Sequence, residues 1–497
     1  MKKLFFFVIG AVVILFILLP GFRNKSVTNV TAPASANNSS IGCDPATVSP
    51  VNAIAFENLN DPPVTRVRRS IYSLSSANIA SLKTGVAAMK ALPYTDPTSW
   101  LYQAAIHGTN LPDALPSWNT CHMSGDEFFF LAWHRMYVYF FERILRAKSG
   151  NPNLTLPYWN YQSNPVIPPD FRDNTPGNPL YHSNRSGSMN MGASLNPSIM
   201  IAFTNSLNPV PYYDFQTAIN GPHGSIHGSI GGDMQSVSTA AKDPIFWLHH
   251  CNIDRLWEVW LRKCNGRHDP TDAAWLTKTF TFFNETGTAV SLSGSQVVQT
   301  AMQLHYKYDF KFPVRCLVHI WPPYLYRRWP LLHIPDPYTI NKGLLRTSFR
   351  QSARDSLDYF IQTTRKTKFN FDDVKAPDKL IIEFEDITVD KQPEGVVEVY
   401  LNLSPKEKPD PNSKSFVGLL DLFSAEHAAR HHNMDHKYVM ELDASRTAKA
   451  LGLSIRDLKN AEISFYVRGN ILKGKEIITS SNIRVGSTTL AIDIVKK

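Results

Sequence analysis

The stretch DPIFWLHHCNIDRLW, Asp243 to Trp257, sets two adjacent histidines in an otherwise apolar segment. Burying an imidazole is costly unless something satisfies its nitrogens, so the question is what His249 and His250 serve. The apolar residues around them recur at helical spacing. A second segment, DEFFFLAWHRMYVYFFERILRAK, carries the same pattern around His134. Further histidines stand near both: His107 and His122 before the second segment, and His223 and His227 in GPHGSIHG before the first. On a helix, His223 and His227 lie one turn apart on one face, able to grip one ion. An isolated HxxxH pair is weak evidence, and any one of these histidines read alone is a satisfied core residue. Three per cluster, set in aromatic-rich helices, point to all-imidazole metal sites in a helical bundle. Such donors suit copper, zinc, iron or nickel. No HExxH arrangement is present, which disfavours a zinc hydrolase.

The rest of the chain is compatible with a large folded protein. Its 497 residues predict two or three domains, and 43% hydrophobic content argues against global disorder. The formal charge of +9 is spread along the sequence without an aromatic-interleaved basic run, so nucleic acid is not an expected partner. The cysteines Cys43, Cys121, Cys251, Cys264 and Cys316 form no CxxC pair. An odd count leaves a free thiol, and one disulfide, Cys43 with Cys121 for instance, fits an oxidising compartment. Lys2 and Lys3 followed by an apolar run over residues 4–19 read as an export signal or a retained membrane anchor. The body of the protein is then expected on the outer side of the membrane, periplasmic or extracellular.

Five regions follow: residues 1–26 as signal or anchor, 27–60 as a Ser/Asn/Thr-rich linker, and 61–270 as a mainly helical domain that carries the paired histidine clusters, with a four-helix core and long loops. Residues 271–370 form a connecting region with short strands. Residues 371–497 form a β-rich domain of sandwich type, because KLIIEFEDITV, GVVEVYLNL, SFVGLLDLF, AEISFYVRG and TTLAIDIV alternate with the period of strands buried on one face. The fold class is α+β. The Pro/Asn/Gly-rich stretch from about 150 to 235 reads as long loops, and 315–370 gives no clear pattern.

FFFLAWHRMYVYFFERI and DPIFWLHHCNIDRLW resemble the two copper signatures of tyrosinases, catechol oxidases and haemocyanins, the type-3 dicopper proteins. AAMKALPYTDPTSWLYQAAIHG, LTLPYWNY, DAAWLTKTFTFFNETG, LHYKYDF and the β-rich tail are similar, in order, to plant-type polyphenol oxidase over roughly 60–310 and 375–497. No plastid transit segment is recognisable, so a bacterial relative is expected. The resemblance implies two copper ions, dioxygen and a catechol-type phenol oxidised to an o-quinone. Its alternatives are a haemocyanin-like dioxygen binder and a tyrosinase with true monophenol hydroxylation. The implied ligands of the second copper are His223, His227 and His250, the last standing four before Asp254, with His249 turned away. Those of the first are His107, His122 and His134. The family spaces the second and third ligands of that site by nine, whereas here they differ by twelve and Gly125 holds the expected place. Either the loop HMSGDE bulges to bring in His122, or the site is altered, with Asp126 as a substitute.

The resemblance also assigns pocket positions. Many relatives carry a Glu four before the first ligand of the second copper, and an Asn after that ligand; here these are Ile219 and Gly224. Without the base a phenol stays protonated, so diphenol oxidation is expected to exceed monophenol hydroxylation. Val237 stands where plant enzymes carry a Phe gate and either widens the pocket or merely packs in a loop. Phe246 lines the same pocket. Leu111 replaces the Cys that forms a thioether in plant enzymes, so no thioether is expected. Arg135 and Asp254 are expected to support the ligands, to link two helices, or both. The tail resembles the domain that covers the copper entrance in relatives, so the full chain is expected to be latent. His427, His431, His432 and His436 form either a metal-binding cluster or an exposed polar loop.

Overall fold

The computed structural model describes residues 54–56, 64–108, 129–310, 326–349, 354–372, 377–425, 439–477 and 480–495. His122, Asp126, Leu111, Cys121, the His427–His436 cluster and the N-terminal 53 residues lie outside them. All described residues belong to one compact unit, Ile41–Lys497. No described helix is long and apolar enough to cross a membrane.

After a short strand β1 (Arg66–Arg68) come helices α1 (Ser76–Lys90), α2 (Trp100–His107), α3 (Phe130–Ser149), α4 (Tyr212–Ile230) and α5 (Pro244–Arg262). Each begins or ends where local chemistry dictates. The Ser75 side chain caps α1 and Ser99 caps α2. Asp243 accepts from the Ile245 amide at 3.0 Å and precedes a Pro at the first position of α5, satisfying a donor that the helix itself leaves open. Gly150 ends α3 with φ +69°, a left-handed position suited to glycine. Residues 130–145 of α3 are all buried, so this helix is the axis of the bundle rather than an amphipathic surface element.

α4 overturns the loop reading of the 150–235 stretch. Pro222 lies inside it, and Gly221, Gly224 and Gly228 dilute its helical propensity. Tertiary packing outweighs that cost: 14 of its residues are buried, and the glycines admit close neighbours from the β region. A Cβ at Gly221 would sit 2.7 Å from the Leu419 carbonyl oxygen, and one at Gly228 would sit 2.8 Å from Gln392 Nε2.

Strands β2 (Thr279–Phe283) and β3 (Ala289–Ser293) form a hairpin, and β4 (Tyr306–Tyr308) pairs in parallel with β1. β5 (Tyr326–Ile334), β6 (Leu344–Ser348) and α6 (Arg354–Thr364) follow. Then come β7 (Lys379–Glu385), β8 (Gly395–Leu401), β9 (Phe416–Leu419), β10 (Val439–Asp443), β11 (Glu462–Leu472) and β12 (Ser487–Val495). One sheet runs β10-β7-β12-β5. A second runs β9-β8-β11, with β6 joining β11 and a short hairpin strand (Lys475–Ile477) at the far side, and a third, three-stranded sheet joins Thr388–Lys391, Asn482–Val485 and Tyr338–Ile340.

The connecting region, 271–370, contributes to both cores. Phe280 to Tyr308 pack in the helical core, whereas Leu331 to Phe360 pack in the β core. β8 departs from expectation. It is buried along its whole length, with Val396 and Tyr400 in the helical core and Val397, Val399 and Leu401 in the β core. Phe416 and Leu419 of β9 likewise face the helices, while Leu420 and Leu422 face the sheets. The β region is therefore joined to the bundle by shared apolar burial, at roughly 25 cal/mol for each Å² removed from water.

Candidate metal centre

Four helices bring the histidines together. His107 ends α2, His134 lies in the second turn of α3, His223 and His227 share a face of α4, and His249 and His250 follow each other on α5. All six are at most 1% exposed. Ring nitrogens of His107, His134 and His250 converge within 4.8 Å, as do those of His223, His227, His249 and His250. His250 belongs to both groups. Its ring stacks on His134 with centroids 4.1 Å apart and planes 9° apart.

Backbone carbonyls decide the tautomers. A carbonyl only accepts, so Nδ1–H donates in each of three rings: His107 to the Val237 oxygen at 2.9 Å, His134 to Phe130 at 2.8 Å and His227 to Met234 at 2.9 Å. Their Nε2 atoms then carry the lone pair that a metal needs. His227 Nε2 faces His223 Nε2 at 3.2 Å. Among the described residues, both ring nitrogens of His249 and of His250 have no hydrogen-bond partner, a state that buried polar atoms rarely keep without an ion.

Burial pushes the His107 imidazole down to about 4 and that of His249 to about 3. His134, His227 and His250 also fall well below 6.5, through burial first and neighbouring imidazoles second. Neutral imidazole is the ligand form. Without metal, these shifts set a pH dependence. The unfolded chain takes up protons near pH 6.5 that the folded chain refuses, so their stability contribution is full above 6.5 and is lost as pH falls toward 4. His107 alone accounts for about 3 kcal/mol of that loss by pH 4. The melting temperature of the metal-free chain is expected to drop across this window; a flat profile between pH 6.5 and 4 contradicts the buried, neutral cluster.

A charged network braces α3 against α5, one residue after His134 and one turn after His250. Arg135 Nε donates to Asp254 Oδ1 at 2.5 Å, and Arg68 reaches both Asp254 (3.2 Å) and Glu142 (2.8 Å). The Tyr306 and Tyr308 hydroxyls also donate to Asp254, at 2.6 and 2.5 Å. Burial opposes ionisation of Asp254, but Arg135 and Arg68 outweigh it and hold the carboxyl below its usual range. The Arg135–Asp254 pair is thus a helix-to-helix bridge, with Arg135 directly after His134 and Asp254 one turn after His250.

The pocket positions come out unevenly. Phe246 lies in the site, its ring centroid 4.2 Å from His250 and 4.8 Å from His107. Ile219 is fully buried on α4. Val237 is 1% exposed and meets the site through its carbonyl, with its side chain packed in the core. His249 is not turned away as expected: its ring stacks on His223 with centroids 5.2 Å apart. Gly224 faces the β region, where a Cβ would overlap Asp421 Oδ1 and lie 3.3 Å from Phe423 Cβ. Phe423, which the sequence did not single out, stacks on His227 with centroids 3.9 Å apart and planes 12° apart. It also meets His223 at 5.9 Å and His107 at 6.3 Å. Cys264 is disulfide-bonded and Cys251 is a buried free thiol; Cys43 and Cys121, the pairing named from sequence, lie outside the described residues.

The common central domain of tyrosinase matches residues 97–198 and 178–263, and the polyphenol oxidase middle domain matches 269–317. The chain is 34% identical over 303 residues to tyrosinase HcTyr1 of Hahella sp. (strain CCB-MM4), covering 50% of this chain and 64% of that one. It is 27% identical over 329 residues to the latent form of a chloroplastic polyphenol oxidase of Prunus armeniaca, covering 54% of each. It is 26% identical over 489 residues to polyphenol oxidase II of Ipomoea batatas, covering 85% of this chain and 77% of that one. The chain thus spans less than two thirds of the Hahella and Prunus proteins. The fold matches that of latent apple tyrosinase, with TM-score 0.60 and 19% identity over 88% of this chain and 99% of that one. Latent aurone synthase gives TM-score 0.60 and 17% identity over 90% and 92%. The tyrosinase central domain and the polyphenol oxidase middle domain, matched in that order, place the chain in the tyrosinase/polyphenol oxidase family; its C-terminal sheets share the fold of the latent enzymes, and type-3 copper site histidines are present.

Proposed function

We propose that this protein oxidises o-diphenols to o-quinones with dioxygen, using two copper ions, and does so better than it hydroxylates monophenols. The observation that carries the reading is the pair of buried imidazole groups joined through His250. His107 and His134, with His122 as the third ligand, would hold one copper; His223, His227 and His250 would hold the other. Bound there, the copper pair supplies the electron transfer that couples removal of two electrons from a catechol to reduction of dioxygen. The chain's own residues fix the imidazoles in the tautomer that binds metal, keep them neutral and exclude bulk water. Phe246 gives an aromatic wall for the substrate ring.

Ile219 supports the diphenol preference, because an apolar side chain there cannot position a water to take the phenol proton. Such a base is worth about 100-fold or more. With the C-terminal segment displaced, catechol oxidation is expected to exceed tyramine hydroxylation by about 100-fold or more. Tyramine hydroxylation at a comparable rate and without a lag overturns the preference.

Phe423 over His227 supports latency of the full chain. The same covered site suits a haemocyanin-like dioxygen carrier, and quinone formation after uncovering separates the two. The Cys264 disulfide supports an exported protein, with residues 4–19 as its signal or anchor.

A further inference from the structure

Two of the three carbonyls that orient imidazoles come from one short segment. Met234 holds His227 and Val237 holds His107, so the chain from Asp233 to Asp243 serves one ligand of each proposed copper. That segment has little regular structure of its own: two 3₁₀ turns, Gly232–Gln235 and Ala240–Lys242, joined by a turn over residues 236–239. Something outside it must set where its carbonyls point.

Residues 182–185 do so. His182 Nε2 donates to Asp233 Oδ2 at 2.8 Å, and Asn184 Nδ2 donates to Asp233 Oδ1 at 2.8 Å. The Asp233 amide returns a bond to the Asn184 carbonyl at 3.1 Å. At the other end of the segment, Arg185 grips Asp243 with two bonds, Nε to Oδ2 at 2.7 Å and Nη2 to Oδ1 at 2.6 Å. This ion pair is fully buried, and Asp243 also caps α5, the helix of His249 and His250. Backbone geometry supports the grip. The Ser186 amide donates to the Ile230 carbonyl at 2.8 Å at the end of α4. Gly232, at φ +60°, lies so close to the Asn184 carbonyl that a Cβ would overlap it.

We infer that His182, Asn184 and Arg185 form a positioning clamp that holds both ends of the Asp233–Asp243 segment and thereby aims one imidazole at each of the two coppers. None of the three is a ligand or touches substrate; they act through Asp233 and Asp243 on two carbonyls, and through those on His227 and His107. The clamp rests on the dicopper reading above. Its distinctive consequence is that loosening one end weakens both metal sites together, although His107 and His227 stand on different helices.

The test removes the side-chain donors to Asp233. Asn184 is exposed and His182 half-buried, so the His182→Ala/Asn184→Ala chain is expected to fold, with Asn184→Ala alone as the milder variant. Copper content and copper affinity, by competition with a chelator, are measured beside the melting temperature of the metal-free protein. Affinity at both sites is expected to fall by about 10- to 100-fold, the range of outer-shell partners of metal ligands. Restoring a donor with His182→Gln in the Asn184→Ala background is expected to recover part of it. Arg328→Ala, which breaks a cluster with Glu383, Glu441 and Asp493 in the distant sheet, is expected to lower the melting temperature without moving copper affinity. Unchanged affinity in the double variant, or loss at one site only, overturns the clamp while leaving the dicopper reading intact. A wild-type chain that binds fewer than two coppers overturns the dicopper reading itself, and the clamp with it.

Discussion

His250→Ala is expected to empty both metal sites and to lower catechol oxidation by about 1000-fold or more, beyond the 10- to 100-fold that outer-shell partners carry. The argument is geometric. His250 alone among the described histidines has ring nitrogens in both convergent groups, and it stacks on His134 while lying 5.1 Å from His223. Removing it takes a donor from one group and a packing wall from the other. His249→Ala is the informative comparison. The copper signature assigns ligation to His250, four before Asp254, yet His249 also stands within reach of His223 and His227. Retention of two coppers in His249→Ala, with loss in His250→Ala, assigns the ligand to His250. The reverse pattern exchanges their roles. Two coppers retained in both variants would contradict the site as built.

Phe423→Gly is expected to raise the catechol oxidation rate of the full-length chain by about 10- to 100-fold. Apparent affinity scales with the fraction of molecules whose site is open, and a ring stacked 3.9 Å from His227 closes it. The ring is held there from both sides. Glycines at 221, 224 and 228 let the β8–β9 region approach the α4 backbone, and the buried Asp421 accepts from the Ser424 hydroxyl at 2.7 Å to fix the turn that carries Phe423. Lys379 to Asp214 and Asn470 to the Ser229 carbonyl, at 2.7 and 2.8 Å, anchor the sheets to the same helix. Truncating one ring leaves these anchors in place, so the gain reads the plug and not loss of the whole cover. An unchanged rate in Phe423→Gly, with a gain only after proteolysis of the β region, would place the block elsewhere.

The histidine pattern made most of the centre legible. His134 and His250 stand in strongly periodic helices, and the spacing of His223 and His227 by four already puts both on one helical face. What was hidden has physical reasons. The helix carrying His223 and His227 was obscured by Pro222 and its glycines, which lower local propensity while serving the approach of Leu419, Asp421 and Gln392. Val237 and Met234 act through carbonyls, so residue identity carries no trace of their role. Phe423 reaches His227 from almost two hundred residues away, a distance at which periodicity is silent. The orientation of His249 depends on packing against His223 rather than on its place in a motif. β5 to α6 were unreadable because basic, aromatic and proline residues interrupt the alternation that β7 to β12 keep. β8 read as a one-faced strand, although both its faces are buried, Glu398 included, and both are used.

The most direct test of the central claim is the copper content of the purified full-length chain, measured with catechol oxidation after the C-terminal segment is displaced. Two coppers per chain and quinone formation are expected. One copper or none, with no turnover, would contradict the paired imidazole centre and the oxidase built on it.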